Sequence, residues 1–160
     1  METRISLVLI TVALVCLALL PEVQAVVPAP DGGYPGNNTA EGQNALLSLT
    51  TGVNNTAVGW FSLKSNRNGQ FNTAVGAGTL FSSVAASRNT AIGGAALFSD
   101  ISGEGNTAVG ALALWSNITG ALNTAIGDNA LLFNTVGFQN TVVGALKSDT
   151  DCKIRCEYPY

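Results

Sequence analysis

Few side chains of this sequence could carry out catalysis, because the chain contains no histidine. Histidine is the usual general base at neutral pH and the commonest metal ligand. A serine nucleophile would therefore need a lysine partner, and no spacing in the sequence supports a pairing with Lys64, Lys147 or Lys153. The sequence accordingly predicts a protein that is not an enzyme and that uses no cofactor.

The two cysteines Cys152 and Cys156 are the best candidates for covalent chemistry. An even number of cysteines in an exported protein favours a disulfide, either within this pair or between subunits. A metal site at this spacing would need two further ligands, and histidine is not available to supply them. The pairs Asp128 with Asn129 and Asp149 with Asp151 are predicted to be solvated turn residues rather than calcium ligands. The sequence thus predicts no metal site.

The first 25 residues have the form of a secretory signal peptide. Arg4 precedes a largely apolar run from Ile5 to Leu20, and Val23-Gln24-Ala25 has the small residues of a cleavage site. This run of 16 residues is shorter than the roughly 20 that a membrane-spanning helix needs. We therefore expect cleavage after Ala25, rather than a retained signal-anchor, and a secreted protein without a permanent membrane anchor.

Secretion makes the Asn-x-Thr sequons candidate sites of N-glycosylation. The three candidates are Asn37, Asn54 and Asn117. Asn and Thr recur in the sequence, so the first two sequons can arise by chance, whereas Asn117 stands at an expected turn before Gly120. We expect Asn117 to be the best placed acceptor.

The strongest pattern in the chain is a repeat of 17 residues. Each unit begins with Asn-Thr-Ala-Val/Ile-Gly or a close variant, has Thr in the second place and Gly in the fifth, and in six of seven units has Leu in the ninth. The repeated asparagines are Asn55, Asn72, Asn89, Asn106, Asn123 and Asn140, after a variant start at Asn38, and the leucines include Leu63, Leu80, Leu97, Leu114 and Leu131. Because no unit carries an insertion, we expect every unit to stack on its neighbour in one register.

Residue types decide which kind of repeat this is. Helical repeats run to about 33 residues or more, and glycine costs a helix about 1 kcal/mol at each occurrence. The pattern instead predicts an all-β fold, a β-solenoid or parallel β-roll of about seven coils over residues 38–146, either as a single chain or intertwined or packed with other chains. Each unit is expected to form two short extended segments, with coils about 4.8 Å apart and with ladders of Asn on Asn and Leu on Leu.

Alternation along a strand assigns the side chains to two faces. The Thr and the Val or Ile of each unit share one face, which we expect to be buried, and the Ala between them points the other way. In the second segment, the Leu in the ninth place faces one side and the residue in the tenth place faces the other. The tenth residues include Phe81, Phe98 and Trp115. Both faces are apolar, so one set should pack against another chain or wall, and the aromatic residues are favoured as interface rather than as glycan-stacking residues.

The pattern Asn-Thr-Ala-Val-Gly-x-x-Ala-Leu-x-x-Asn-x-Thr-Gly, best seen in Asn106–Gly120 and Asn123–Gly137, resembles that of the NTAxGxxAL repeat proteins of bacterial and algal surfaces. It is more distantly similar to the head repeats of trimeric autotransporter adhesins. The resemblance covers Asn38 to about Leu146. It implies a stacked β-roll with an extracellular structural or adhesive role, and it carries over no functional residue.

The segments flanking the repeats differ in composition. Residues 26–37 form a Pro- and Gly-rich arm, and residues 147–160 form a charged segment around the two cysteines. All three tyrosines lie in these flanks, and we take Tyr34, Tyr158 and Tyr160 as interface candidates. Two interpretations stay open. The flanks cap the open ends of the solenoid, or the arm of one subunit docks on the terminus of the next and builds a polymer.

Composition narrows the function further. A formal net charge of −3 and a pI near 4.7 argue against nucleic acid as a partner. The sequence predicts a secreted, extracellular structural protein that assembles with itself into a fibre or a surface or matrix layer. The alternative is an adhesin or binding module for glycan or ice that uses the repeat face. Burial of the Thr column would remove it from contact with ice, so the structural function is preferred.

Overall fold

The computed structural model of the protein describes residues 34–145. The expected signal peptide, most of the arm and the cysteine-containing segment therefore lie outside the described residues. Within them, the chain forms seven short strands, one for each repeat, with no helix. They are β1 (Thr39–Glu41), β2 (Thr56–Val58), β3 (Thr73–Val75), β4 (Thr90–Ile92), β5 (Thr107–Val109), β6 (Thr124–Ile126) and β7 (Thr141–Val143).

The seven strands form one parallel sheet in sequence order. Each residue pairs with the residue 17 positions later, so that Thr56 lies beside Thr73 and Ala57 beside Ala74. At the usual spacing between strands, the sheet is about 30 Å long. The predicted all-β, parallel solenoid with a 17-residue coil is therefore confirmed.

The second extended segment of each coil was predicted wrongly. The stretch around each repeated Leu is a run of turns, and the Leu itself has a left-handed backbone, with φ between 49° and 53° in six coils. The seventh residue of each of these coils, such as Phe61 or Ala95, also has positive φ. Two left-handed residues so close together turn the chain sharply, and a 17-residue coil needs this corner in order to close on the next.

The assignment of faces was also wrong. The interior contains the strand alanines and the repeated leucines, whereas the Thr and the Val or Ile of each strand point outward. Ala57, Ala74 and Ala91 are wholly buried. The space between the strand and the turn segment is narrow and already holds a Leu from each coil, so a methyl group fits opposite it. Alternation then forces the neighbours of each Ala to the surface.

A ladder of asparagine side chains runs through the buried side of the coils. Asn72 donates both its backbone N–H and its side-chain Nδ2–H to Oδ1 of Asn55, at 3.0 Å each, and Nδ2 also donates to the carbonyl of Ala86 at 2.8 Å. Asn55, Asn106 and Asn123 make the same three hydrogen bonds. Asn140 makes only the two to Oδ1 of the preceding asparagine. Buried amides are costly unless they are paired, so this ladder fixes the register between coils.

Glycine in the fifth place allows the coils to approach closely. Gly93 has φ of 125°, and a Cβ atom there would lie 2.5 Å from the carbonyl oxygen of Gly110 in the next coil. Both the backbone conformation and the space exclude a larger residue.

Candidate functional surface

The outer side of the parallel sheet is a regular surface that runs along the seven strands. We call it the Thr–Val/Ile face, and it consists of the Thr and the Val or Ile side chains of β2 to β7. Ile92 and Ile126 are 41% and 40% exposed, and the Thr side chains of β2 to β6 are half-buried. This face therefore presents two straight columns, one of hydroxyl groups and one of aliphatic groups, repeated at the strand spacing.

The Thr–Val/Ile face is uncharged. Glu41 of β1, which takes the place of Val or Ile at the N-terminal edge of the sheet, is the one charged strand residue among those described. The hydroxyl groups of the strand threonines make no side-chain hydrogen bond within residues 34–145. Each hydroxyl can both donate and accept a hydrogen bond, so the column offers its bonding capacity to whatever lies on the face.

A stack of aromatic rings runs along the turn side of the coils. The ring centroids of Phe81 and Phe98 are 4.8 Å apart with the planes nearly parallel, Phe98 and Trp115 are 6.1 Å apart, and Phe61 meets Phe81 edge-on at 5.9 Å. The ammonium group of Lys64 lies 4.6 Å from the centre of the Phe61 ring and 4.9 Å from that of Phe81. These rings stabilise one another across coils.

The stacking also determines what these rings can bind. A sugar stacks on the free face of an aromatic ring, but the faces of Phe81 and Phe98 are turned towards each other. Their edges are what remains for a ligand. This arrangement suits packing between coils and does not suit a glycan-stacking row.

A second buried polar row lies at the twelfth place of the coils, with Asn66, Ser83, Asp100, Asn117 and Asn134 in register. The Asp100 carboxylate accepts hydrogen bonds from the Gly103 N–H at 2.9 Å, from Nδ2 of Asn117 at 3.1 Å and from Nδ2 of Asn89 at 3.3 Å. Burial raises the pKa of Asp100 to about 7, although the bonds from Gly103 and Asn117 lower it. The Ser83 hydroxyl is buried without a partner among the described residues.

The structure corrects the expectation for the sequon at Asn117. Its side chain is wholly buried, and its Nδ2 donates to Asp100 and to the carbonyl of Gly120 at 3.0 Å. A glycan attached to this nitrogen would break both bonds and would have no room, so Asn117 is not available in the folded coil. Asn37 and Asn54, in contrast, are exposed.

The tyrosine and cysteine candidates are placed only in part. Tyr34 is half-buried and packs against the hydrophobic core at the N-terminal end, and its hydroxyl is buried without a partner among the described residues. Tyr158, Tyr160, Cys152 and Cys156 lie outside the described residues.

The outward direction of the Thr and Val or Ile columns was missed by sequence reasoning, although a signal for it existed. The third place of the repeat is Ala in six of seven units, and a position that accepts only a methyl group is typical of a tight interior.

Residues 34–145 contain no cluster of three acidic or cysteine side chains that could hold a metal ion, and no helix there is long and apolar enough to cross a membrane. Comparison with protein-family models, curated proteins and solved structures gives no match.

Proposed function

We propose that this protein is a secreted structural protein that assembles with copies of itself through the Thr–Val/Ile face into an extracellular fibre or a surface or matrix layer. The observation that carries the proposal is the uncharged face with its column of six Val and Ile side chains, of which four are exposed and two are half-buried. Exposed apolar patches of this regularity mark interaction sites in soluble proteins. The sequence supports secretion through its signal-like N-terminus and its resemblance to NTAxGxxAL surface proteins.

The size of the face limits how strongly a second copy of the chain can bind to it. A surface about 30 Å long and about 10 Å wide would bury on the order of 600 Å² of accessible area in a pair, which is below the range of stable specific interfaces. We therefore expect an association that depends on protein concentration. A pair in which the two copies are offset along the rod leaves part of each Thr–Val/Ile face free, and further copies can then add and extend the assembly.

The experiment compares substitutions on and off this face. The double variant Ile92→Lys with Ile126→Lys places two charges on the face, and Ile101→Lys with Ile118→Lys places the same charges on exposed residues of the turn side. Sedimentation velocity over a range of concentrations should give assemblies for the wild type and for the turn-side control, and monomers for the face variant. A wild type that stays monomeric at every concentration would contradict the proposal.

A second candidate function is binding to ice, and it is favoured by the outward-facing, half-buried Thr column. The sequence argument against ice depended on burial of these hydroxyl groups, and they are not buried. Two columns at a fixed spacing can hold surface water in a regular array, with each Thr hydroxyl as a hydrogen-bond partner. The same hydroxyl groups would lose their water partners in a dry interface between copies, at a cost of about 1–3 kcal/mol for each group left unpaired.

Substitution of Thr90 and Thr107 by Val distinguishes the two functions. Val keeps the shape of Thr and removes its hydroxyl, so the change should strengthen an apolar interface and weaken binding to ice. Ice-crystal shaping and sedimentation are measured on the same samples. Growth of ice crystals that is unaffected by the wild-type protein excludes the second function.

A further inference from the structure

Two unlike columns lie side by side on the Thr–Val/Ile face. In each strand the Thr and the Val or Ile are two residues apart, so the columns are separated by about 6.6 Å. Thr90 is half-buried in the hydroxyl column, and Ile92 is 41% exposed in the aliphatic column. A partner that lies flat on this face must therefore match a polar half and an apolar half at the same time.

The hydroxyl column limits what can cover the face. The hydroxyl groups of Thr73, Thr90 and Thr107 make no hydrogen bond among residues 34–145, and a hydroxyl that is covered without a partner weakens binding. A hydroxyl both donates and accepts, so another Thr is a suitable partner. In a second copy the threonines of successive strands follow one another in the same register, as Thr90 lies beside Thr107. A second copy can therefore pair many of these hydroxyl groups at once.

The direction of the second copy decides which columns meet. We call the line from β1 to β7 the rod axis. When two rods lie face to face and run in the same direction, a half-turn about the rod axis relates them, and this rotation places each Thr column against the Val/Ile column of the other copy. When the rods run in opposite directions, the half-turn is about the strand direction, and each column meets its own kind. Only the second arrangement pairs hydroxyl with hydroxyl and aliphatic with aliphatic side chains.

The charge of Glu41 favours the same arrangement. Glu41 lies in β1, at the N-terminal end of the aliphatic column. Rods that run in the same direction without an offset bring the two Glu41 carboxylates to the same end of the pair, where they repel each other. Rods in opposite directions place them at opposite ends, about 30 Å apart, which is well beyond the screening length of about 8 Å at physiological salt.

We propose that two copies pair through their Thr–Val/Ile faces with the rods in opposite directions, Thr column on Thr column and Val/Ile column on Val/Ile column. This arrangement rests on the proposed function, because it specifies how the second copy lies on the same face. The seven strands follow one another in sequence order at the usual strand spacing, so an offset by whole strands keeps the matching of the columns. Offset pairs can therefore extend the assembly without a new kind of contact.

Opposite charges placed in chosen columns test the direction. The full chain carrying Ile92→Lys and Ile126→Lys is mixed with one of two partners. The column-matched partner carries Ile92→Glu and Ile126→Glu, and the column-crossed partner carries Thr90→Glu and Thr124→Glu. In rods of opposite direction, the introduced lysines face the glutamates of the column-matched partner, with position 92 of one copy opposite position 126 of the other. In rods of the same direction, they face those of the column-crossed partner.

Sedimentation velocity is measured on each variant alone and on both equimolar mixtures, after thermal unfolding has shown that every variant is folded. Each variant alone should be monomeric, because like charges meet. The column-matched mixture should form pairs at a concentration about tenfold or more lower than the column-crossed mixture, and about 1 M salt should abolish the difference.

The outcome for the mixtures is judged against the wild type. Where the wild type assembles, stronger pairing in the column-crossed mixture would show that the rods run in the same direction and would overturn the arrangement. Equal pairing in both mixtures, or pairing in neither, would overturn it too, because the columns would then not select their own kind. A wild type that remains monomeric at every concentration contradicts the proposed function itself, so the two failures are distinguished.

Discussion

The carboxylate of Asp100 accepts a hydrogen bond from the side-chain amide of Asn117, one coil later, at 3.1 Å, and both residues are wholly buried. No basic side chain compensates this carboxylate: the one ion pair among residues 34–145 joins Arg88 and Glu104 at the surface. Burial without a cation favours the neutral form, and the pKa of Asp100 is raised to about 7 as a result. The repeat thus contains an ionisable group where three other coils have a neutral amide, in Asn66, Asn117 and Asn134.

This position makes stability depend on pH. Because the pKa is higher in the folded chain than its ordinary value of 3.8, the protonated form favours folding. Stability should be greatest below about pH 4, fall as the pH rises towards about 7, and stay level above that. Asp100→Asn should remove this dependence and stabilise the chain at pH 8 by roughly 2–4 kcal/mol. Asn fits at this position, because Asn66 and Asn117 take the equivalent twelfth place in two other coils.

Urea unfolding at pH 4 and at pH 8 measures the effect. Asp128→Asn, which removes an exposed carboxylate, is the control and should change little at either pH. If Asp100→Asn unfolds more easily than the wild type at pH 8, the charge of Asp100 stabilises the buried row, which contradicts the prediction.

Two adjacent glycines provide a matched test of close packing between coils. Gly93→Ala should destabilise the chain by about 2–4 kcal/mol, because φ is positive there and the new methyl group would meet the Gly110 carbonyl. Gly94→Ala should be neutral or slightly stabilising, since a Cβ there meets nothing within 4 Å. Thermal unfolding of the two variants gives the comparison, and equal losses of stability would rule out packing between coils as the cause.

The buried ladder should be sensitive to removal of a single amide. Nδ2 of Asn106 donates to Asn89 at 3.2 Å and to Gly120 at 2.8 Å, and its Oδ1 accepts both the backbone and side-chain N–H of Asn123 at 3.0 Å. Asn106→Ala leaves several of these groups buried without partners, and we expect a loss of about 3 kcal/mol or more. Asn68→Ala, on an exposed residue, should cost less than about 0.5 kcal/mol. A similar small loss for Asn106→Ala, measured by denaturant unfolding, would show that water replaces the ladder.

The period of the repeat predicted the register of the sheet, and the residue types predicted a solenoid of coils. Alternation showed that Thr56 and Val58 share a face, but it did not show which face is inside. That choice depends on the width of the interior, which follows from the position of Leu63 on the opposite wall. The left-handed backbone of that Leu could not be predicted either, because Leu has no intrinsic preference for this conformation and adopts it only where packing requires it. Asn117 was wrongly predicted to stand at an accessible turn for a similar reason, because the sequon Asn-x-Thr has the same sequence on an exposed turn and in a buried row.

The placement of the three sequons leads to a prediction about glycosylation. Asn37 and Asn54 are exposed, with Nδ2 of Asn37 at 3.4 Å from Oδ1 of Asn54, whereas Asn117 is buried in the polar row. In protein secreted from a eukaryotic host, enzymatic deglycosylation should lower the mass of the wild type. The double variant Asn37→Gln with Asn54→Gln should abolish that change. Asn117→Gln should leave the mass change intact and reduce stability instead, because the longer side chain does not fit between Asp100 and Gly120. A mass change that survives in the double variant and disappears in Asn117→Gln would place the glycan on the buried residue and contradict the packing of this row.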